Sequence, residues 1–218
     1  MNQKDLKFPF PWEERRPAIH EGVLFIPEYY FEHNLWTFPR FAAIFGEERP
    51  VHVEYCSGNG AWIIEKASQS TDYWVAVEWR FDRVRKIWSK MKNLGLKNLF
   101  IVCGDGQIFA RDYLLPNSVD NVYINFPDPW PKEKHAKNRI FQAPFIEQLA
   151  RTTKGKVTAV TDDPTYSSQI LSEMKHWTSS FPEPRFVTEW PGYGSSFFDT
   201  LWRRKGCTIR YMQFARPL

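Results

Sequence analysis

The sequence predicts an α/β fold with a doubly wound, mostly parallel sheet of seven strands and an antiparallel strand at its edge. From residue 51 onward, short runs of β-branched and apolar residues alternate with helical segments, and the connections are short. The last two predicted strands have no long helix between them, and a parallel pair would need such a crossover. These observations place helices on both faces of the sheet and one reversed strand at its edge.

The elements follow one another in a regular order. The predicted strands are 51–56, 73–79, 98–103, 119–126, 155–161, 185–190 and 206–214. Predicted helices begin near Ala61 and span 80–94, 141–153 and 164–180. Residues 1–48 hold five prolines among many aromatic residues, which indicates an irregular arm packed on a domain of residues 49–218, with a helix expected near 28–46.

Length and composition exclude several classes of protein. With 218 residues, of which 43% are hydrophobic and 25% charged, the chain suits one globular domain rather than a disordered or fibrous protein. No run approaches the roughly 18 apolar residues of a membrane span. The N-terminal residues lack the apolar core of a secretory signal. We therefore expect a cytoplasmic protein that does not bind membranes.

Metal sites and disulfides are not predicted. The three cysteines and five histidines are scattered, without the spacing of metal ligands or of a CxxC pair. The formal net charge of +4 is only mildly basic. The local placement of basic residues, rather than this total, therefore decides whether a nucleic acid can bind.

The loop after the strand at 51–56, Glu54-x-x-x-Gly58-x-Gly60, is typical of a nucleoside-binding turn. Ligands of doubly wound sheets bind beyond the carboxyl ends of the strands, and glycine lets the backbone turn tightly there. A dinucleotide fingerprint needs a third glycine where this chain has Ile63. NAD is therefore disfavoured, although a short G-x-G also occurs as a simple turn.

Carboxylates end three successive predicted strands, at Glu54, Glu78 and Asp105. Glu78 is placed to accept hydrogen bonds from ribose hydroxyls, and Asp105 to accept from an adenine amino group. Three acids suit a cationic, phosphate-free nucleoside better than a diphosphate. S-adenosylmethionine is such a ligand, because it carries a sulfonium and an ammonium. The alternative is that the acids are merely solvated.

A proline-rich segment follows the strand at 119–126. It reads Asn125-Phe126-Pro127-Asp128-Pro129-Trp130-Pro131-Lys132. The prolines restrict Asp128 and Trp130, opposite the expected position of the cofactor's methyl group. The basic or potentially basic residues that follow are Lys132, Lys134, His135, Lys137 and Arg139. They are typical of a phosphate-binding lip beside an active site, although a charge run is usually only a solvated face.

At these residues the sequence resembles the bacterial tRNA (guanine-N7-)-methyltransferases. The proline-rich segment with His135-x-Lys137-x-Arg139 is similar to the most distinctive motif of that family. Further matches, in the family's order, are Glu54-x-x-x-Gly58-x-Gly60, Glu78, Gly104-Asp105-Gly106, Thr161-Asp162-x-x-x-Tyr166 and Ser196-x-Phe198-Asp199. The resemblance covers the chain from about residue 50 to its end.

The resemblance implies a Rossmann-like, class I S-adenosylmethionine-dependent methyltransferase that acts on N7 of a tRNA guanine, guanosine-46 of the variable loop. Asp128 would be the catalytic residue, as a rigid carboxylate near the purine. The implied cofactor-binding residues are Glu54, Gly58, Gly60, Glu78, Asp105 and Asp128. The implied tRNA-binding residues are Lys132, Lys137, Arg139, Asp162, Ser196 and Asp199. Either a monomer or a homodimer is expected.

Two alternatives stay open, and three departures from the family pattern motivate the second of them. Cys56 stands where the family usually has glycine, Asn138 where it has arginine, and Asp199 where it has glutamate. One alternative is a methyltransferase for another substrate, and the other is a tRNA-binding relative with impaired catalysis. Asp162 has an alternative role as well, because an aspartate before Pro164 also serves as a helix N-cap.

Overall fold

Nine strands form one mixed sheet in the computed structural model, which describes residues 1–217, for Trp12 the backbone alone. Leu218, the last residue of the predicted domain, lies outside the described residues. The strands are β1 (Ala18–His20), β2 (Val23–Phe25), β3 (Val51–Tyr55), β4 (Tyr73–Glu78), β5 (Leu99–Cys103), β6 (Asn121–Asn125), β7 (Lys156–Thr161), β8 (Thr178–Ser179) and β9 (Arg210–Ala215).

Helices connect most of these strands. They are α1 (Phe41–Phe45), α2 (Ala61–Ser68), α3 (Phe81–Asn93), α4 (Gly106–Ile108), α5 (Ala143–Thr152), α6 (Pro164–Glu173) and α7 (Phe197–Arg204). A π-helical turn at Phe109–Tyr113 continues α4. Short 3-10 turns cover Gln3–Asp5, Trp12–Glu14, His33–Leu35 and Glu133–Asn138.

The strand order is β1-β2-β5-β4-β3-β6-β7-β9-β8. All pairs from β2 to β7 are parallel, whereas β1, β9 and β8 pair antiparallel with their neighbours. This confirms the doubly wound, mostly parallel sheet with an antiparallel edge. The chain order reverses at β3, with β4 on one side and β6 on the other, and ligands bind beyond the strand ends at such a switch point.

The sheet is buried on both faces. Along β4, Tyr73, Val75 and Val77 join a core cluster that includes residues of α5 and α6. Trp74 and Ala76 point the other way, into a cluster that includes residues of α2 and α3. Because both faces are covered, ligand-binding groups come from the loops at the strand ends.

The N-terminal segment contains a β-hairpin that was not predicted. Glu21 and Gly22 join β1 to β2 with φ of +55° and +79°, the left-handed pair that a tight hairpin favours. β2 then extends the sheet beside β5. The helix expected near 28–46 is limited to α1 because Pro39 disfavours helical backbone at the residue before it.

The C-terminal elements also differ from the prediction. No strand forms at 185–190, where Arg185 has a φ of +67° and only Val187 bridges to Tyr211. A left-handed residue interrupts extended pairing, so the edge strand is the two-residue β8 instead. The segment before β9, expected to be a loop, contains α7. The sheet therefore has six of the seven predicted strands and three others.

Candidate active site

The carboxyl ends of β3, β4, β5 and β6 surround one cavity of about 230 Å³ at the switch point. Cys56 follows β3, Glu78 ends β4, Asp105 lies two residues after β5, and Asp128 lies three residues after β6. All four residues line the cavity. The structure therefore brings together three of the predicted acidic residues from three separate loops.

The loop between β3 and α2 contains three residues with left-handed backbone. Cys56, Gly58 and Gly60 have φ of +60°, +55° and +71°. A Cβ atom on Gly60 would lie 2.7 Å from Cγ1 of Ile87 in α3, so a side chain there would have to displace the Ile87 side chain. A residue with a side chain costs about 1–2 kcal/mol in this conformation, which makes Cys56 a strained position beside the cavity.

Glu78 is buried and fixes this loop. Its Oε2 accepts a hydrogen bond from the Gly58 N–H at 2.9 Å, and its Oε1 accepts one from the Arg80 N–H at 2.9 Å. Burial raises the pKa of Glu78, whereas these two donors and the positive charge of Arg83 partly lower it. A carboxylate has about four acceptor sites, so Glu78 retains capacity for ligand hydroxyls.

Asp105 caps the helix that begins at Gly106. Its Oδ1 accepts hydrogen bonds from the N–H groups of Gln107 and Ile108 at 2.7 and 3.0 Å. Oδ2 accepts no hydrogen bond from the described part of the chain, and the residue is exposed. The cap fixes the carboxylate and leaves one oxygen for a ligand.

Glu54 lines a second, smaller cavity together with Gly58, Ser196 and Phe198. It is only 2% exposed, and its Oε1 accepts a hydrogen bond from Nδ2 of Asn125 at 2.7 Å. Oε2 is buried and has no hydrogen-bond partner among the described residues. Burial raises the pKa of Glu54 to about 7. An unpaired buried carboxylate oxygen is costly, so the cavity suits a small cationic group.

Asn125 and Tyr193 orient Glu54, and neither was predicted as a site residue. The Tyr193 hydroxyl donates to Oδ1 of Asn125 at 2.7 Å, which turns the amide nitrogen of Asn125 toward Glu54. Asn125 could have been found from its position at the end of β6, directly before the proline-rich segment. Tyr193 lies 68 residues from Asn125 and has no local signal.

The proline-rich turn presents Asp128 to the larger cavity. Asp128 is exposed and forms no hydrogen bond with the described residues. Phe126 and Trp130, on either side of it, have φ of +50° and +42°. Each costs about 1–2 kcal/mol in this region, and such strain clusters at functional sites. Trp130 is 37% exposed and lines the cavity, so it is not a core residue.

The basic residues after this turn separate into two groups. Lys132 and Lys137 are exposed at the 3-10 turn that follows. Arg139 is 7% exposed and donates hydrogen bonds to the carbonyl oxygens of Pro129 and Trp130. This position does not favour the predicted contact of Arg139 with tRNA, because the guanidinium is buried and donates to backbone carbonyl groups.

Asp162 is not the helix cap that its position before Pro164 allowed. The N-cap of α6 is Asp163, whose Oδ1 accepts a hydrogen bond from the Tyr166 N–H at 2.7 Å. Asp162 is partly buried, and burial raises its pKa, with nearby Asp163 adding to the rise and Arg210 opposing it. Its carboxylate is therefore available to a ligand.

Ser196 and Asp199 have internal partners. Ser196 Oγ accepts a hydrogen bond from the Asp199 N–H at 3.0 Å and caps α7. Asp199 is buried; its Oδ2 accepts from the Tyr211 hydroxyl at 2.7 Å and its Oδ1 accepts from Nε of Arg203 at 2.9 Å. A direct contact with guanine would have to use the remaining acceptor sites of this buried carboxylate, so the expected role of Asp199 stays a prediction.

Comparisons with known proteins decide the family. The family model described as "Putative methyltransferase" matches residues 48–185. The tRNA (guanine-N(7)-)-methyltransferase of Chlamydia felis is 45% identical, over 100% of this chain and 99% of that protein. The corresponding protein of Rubrobacter xylanophilus is 29% identical over 80% of each chain. The chain belongs to the tRNA (guanine-N(7)-)-methyltransferase family.

Solved structures support the fold of this family member. The 16S rRNA methyltransferase KamB matches with a TM-score of 0.61 and 13% identity, over 84% of this chain and 96% of that chain. The aminoglycoside resistance methyltransferase NpmB1 matches with a TM-score of 0.52 and 17% identity, over 84% and 95%. The fold is therefore that of the class I methyltransferases, as predicted.

Two departures from the family pattern have a structural context. Cys56 occupies a left-handed position, where the glycine usual in the family avoids strain. Asn138 is exposed and lines the larger cavity.

Within residues 1–217, no cluster of His, Cys, Asp and Glu could hold a metal ion. No helix in the same range has the length and apolar character to cross a membrane.

Proposed function

We propose that this protein transfers the methyl group of S-adenosylmethionine to N7 of guanosine-46 in the variable loop of tRNA. The full-length relationship to tRNA (guanine-N(7)-)-methyltransferases supports the reaction. The structural observation that carries it is the meeting of Glu78, Asp105 and Asp128 at one cavity of the switch point. Residues 49–218 would form the catalytic domain, and the tRNA substrate assigns the protein to the cytoplasm.

The described residues fit S-adenosylmethionine. The unpartnered Oε2 of Glu54 suits the ammonium group, Glu78 suits the ribose hydroxyls, and Oδ2 of Asp105 suits the adenine amino group. Gly58 and Gly60 leave two positions of the adjoining loop without a side chain. When bound, the cofactor supplies an electrophilic methyl group on a sulfonium.

Asp128 is the proposed catalytic residue. N7 of guanine has a lone pair and no proton, so no general base is needed. The purine becomes positively charged during methylation, and a carboxylate held beside it stabilises that charge. Asp128 has no competing hydrogen bond in the described part of the chain and lies on a turn restricted by prolines on both sides. Little reorganisation is then needed to place it.

Asp162 is the proposed guanine-selecting residue. Guanine presents N1–H and N2–H₂ donors on one edge, and a carboxylate accepts from both. Asp162 is partly buried and is not used as a cap, whereas Asp199 is held by Tyr211 and Arg203. Asp199 and Ser196 would act indirectly, by fixing the start of α7.

Lys132 and Lys137 are proposed to contact tRNA phosphates. Both are exposed within nine residues of Asp128 in the chain. Phosphate contacts position a nucleic acid without selecting a base. In this proposal Asp162 selects the base, and the two lysines contribute to the affinity for tRNA.

The test is to incubate the purified protein with radiolabelled S-adenosylmethionine and unmodified tRNA, and to identify the labelled nucleoside. We expect labelled 7-methylguanosine, which disappears when guanosine-46 of the transcript is replaced by adenosine. Persistence of the label in that transcript would contradict the proposed position. Cofactor binding without transfer to tRNA would instead support a methyltransferase for another substrate. Binding of tRNA without binding of the cofactor would support a tRNA-binding relative with impaired catalysis.

Asp128→Asn tests the catalytic assignment. We expect kcat to fall by about 10²–10³-fold, as for loss of one transition-state electrostatic contact, with the Kd for tRNA nearly unchanged. Glu147→Gln, on the exposed surface of α5, is the matched control and should retain wild-type kcat. Full transfer by Asp128→Asn would place the catalytic carboxylate elsewhere.

A further inference from the structure

Arg139 is a buried guanidinium on the inner side of the turn that carries Asp128. Its Nε donates to the carbonyl oxygen of Pro129 at 2.6 Å, and its Nη2 donates to that of Trp130 at 3.3 Å. Both carbonyl groups lie within two residues of Asp128. The guanidinium therefore holds the C-terminal half of the turn through its backbone.

The other side of the guanidinium contacts α6. Nη1 donates to Oε1 of Gln169, and the guanidinium carbon lies 5.2 Å from the centre of the Tyr166 ring. Gln169 is itself held, because its Nε2 donates to the carbonyl oxygen of Phe141 at 3.2 Å. Arg139 thus joins the turn to a helix of the folded core.

No carboxylate of residues 1–217 forms an ion pair with Arg139. A buried cation is costly without a counter-ion, and here neutral carbonyl and amide oxygens and a ring face replace it. A planar fork of donors can serve several acceptors at once, which a lysine ammonium on a flexible stem does not reproduce. The site is therefore built for arginine.

The turn needs such an external contact. Phe126 and Trp130 are both left-handed, and the proline nitrogens of the segment cannot donate hydrogen bonds. The Asp128 side chain forms no hydrogen bond within residues 1–217. The contacts on the Pro129 and Trp130 carbonyl groups are therefore a main restraint on the direction of Asp128.

We propose that Arg139 is a positioning residue, which fixes Asp128 and Trp130 at the cavity through the turn's carbonyl groups and does not contact tRNA. This inference rests on the role proposed for Asp128. Arg139 then supports catalysis indirectly, by positioning Asp128, whereas the exposed lysines bind phosphate.

Arg139→Lys tests the inference, with Arg151→Lys as the matched control. Arg151 also donates to backbone carbonyl groups, those of Leu114 and Ala110 at 2.8 and 2.7 Å, but away from the cavity. We expect Arg139→Lys to lower kcat about tenfold to a hundredfold and Arg151→Lys to leave kcat unchanged. Equal kcat in both variants would overturn the proposal.

Two further measurements separate positioning from phosphate binding and from a general folding defect. The slope of log Kd for tRNA against log salt should be unchanged in Arg139→Lys, whereas a slope lowered by about 0.7–0.9 would indicate a lost phosphate contact and overturn the proposal. Adding Arg139→Lys to Asp128→Asn should cause little further loss of kcat, because both act on one group. Independent, additive losses would overturn the action through Asp128.

Gln169→Leu covers the case in which Arg139→Lys does not fold. It removes one partner of the guanidinium and keeps the two carbonyl contacts, so we expect a smaller loss of kcat, about threefold to tenfold, and wild-type kcat would contradict the inference. Failure of the proposed function is recognised separately, since it would appear as no 7-methylguanosine from the wild-type protein. The salt slope can be measured in either case.

Discussion

At the scale of single residues, the proposed contact of Glu54 with the cofactor predicts that cofactor binding depends on pH. Burial raises its pKa to about 7 from an ordinary value of 4.5. Between pH 7 and pH 6 its ionised fraction falls from about a half to about a tenth, and the cofactor's ammonium loses its counter-ion. We therefore expect the Kd for S-adenosylmethionine, measured by calorimetry, to rise about fivefold over this range.

Glu54→Gln is the control for that titration and should bind weakly with little pH dependence between pH 6 and pH 7. An unchanged pH dependence in this variant would assign the titration to another group.

The free energy of unfolding should change with pH in the opposite direction to the affinity for the cofactor. The folded state binds more protons than the unfolded state between pH 4.5 and about 7, so the free energy of unfolding of the ligand-free protein falls as pH rises through this range.

Asp162 and Asp199 should respond differently to the same substitution. Asp162→Asn removes a proposed acceptor for guanine, so we expect kcat/KM for tRNA to fall about tenfold to a hundredfold with no change in Tm. Asp199→Asn disturbs the contacts with Tyr211 and Arg203, so it should lower the free energy of unfolding by about 1–2 kcal/mol. A fully stable but inactive Asp199→Asn would restore Asp199 as a direct guanine contact.

At the scale of elements, the hairpin β1–β2 depends on one close approach. A Cβ atom on Gly104 would lie 2.6 Å from Cβ of Ile26, the residue after β2. We expect Gly104→Ala to lower the free energy of unfolding by about 1–3 kcal/mol and to speed amide exchange in β1 and β2 before β3 and β4. Exchange that is uniform across the sheet would show that the hairpin has no separate stability.

The strands that could be predicted each have five or six residues. The strands β3 to β7 are short apolar runs bounded by turn residues, a pattern that does not depend on distant contacts. β1 and β2 have three residues each and are defined by their pairing with β5. The predicted strand at 185–190 has the right composition, but it begins with the left-handed Arg185 and pairs only at Val187.

At the scale of the whole molecule, the sequence indicates which loops lie close together. It does not indicate which of their side chains are already hydrogen-bonded inside the protein. Asp105 and Asp128 follow their strands directly, so topology alone predicts their meeting. Asp199 was predicted to bind the substrate because its hydrogen bond with Tyr211 cannot be seen in the sequence. That bond depends on packing between α7 and β9. Arg139 was assigned to phosphate for the same reason, since its burial depends on Gln169 in α6.

The placement of charge across the whole molecule predicts the salt dependence of tRNA binding. Lys132, Lys134 and Lys137 are exposed beside the cavity at the carboxyl edge of the sheet. Replacing all three by glutamine should remove up to three phosphate contacts and lower the slope of log Kd against log salt by about two units. Filter binding between about 50 and 200 mM salt measures this slope.

The matched control removes the same charge from the opposite edge. Lys97, Lys154 and Lys156 are exposed near the amino ends of β5 and β7. Both triple variants change the formal net charge from +4 to +1, so a non-specific charge effect would lower the two slopes equally. A local phosphate contact lowers the slope only in the first variant, because charges separated by the width of the sheet are screened at these salt concentrations. Equal slopes in the two triple variants would exclude the lysines beside Asp128 as the tRNA-binding surface.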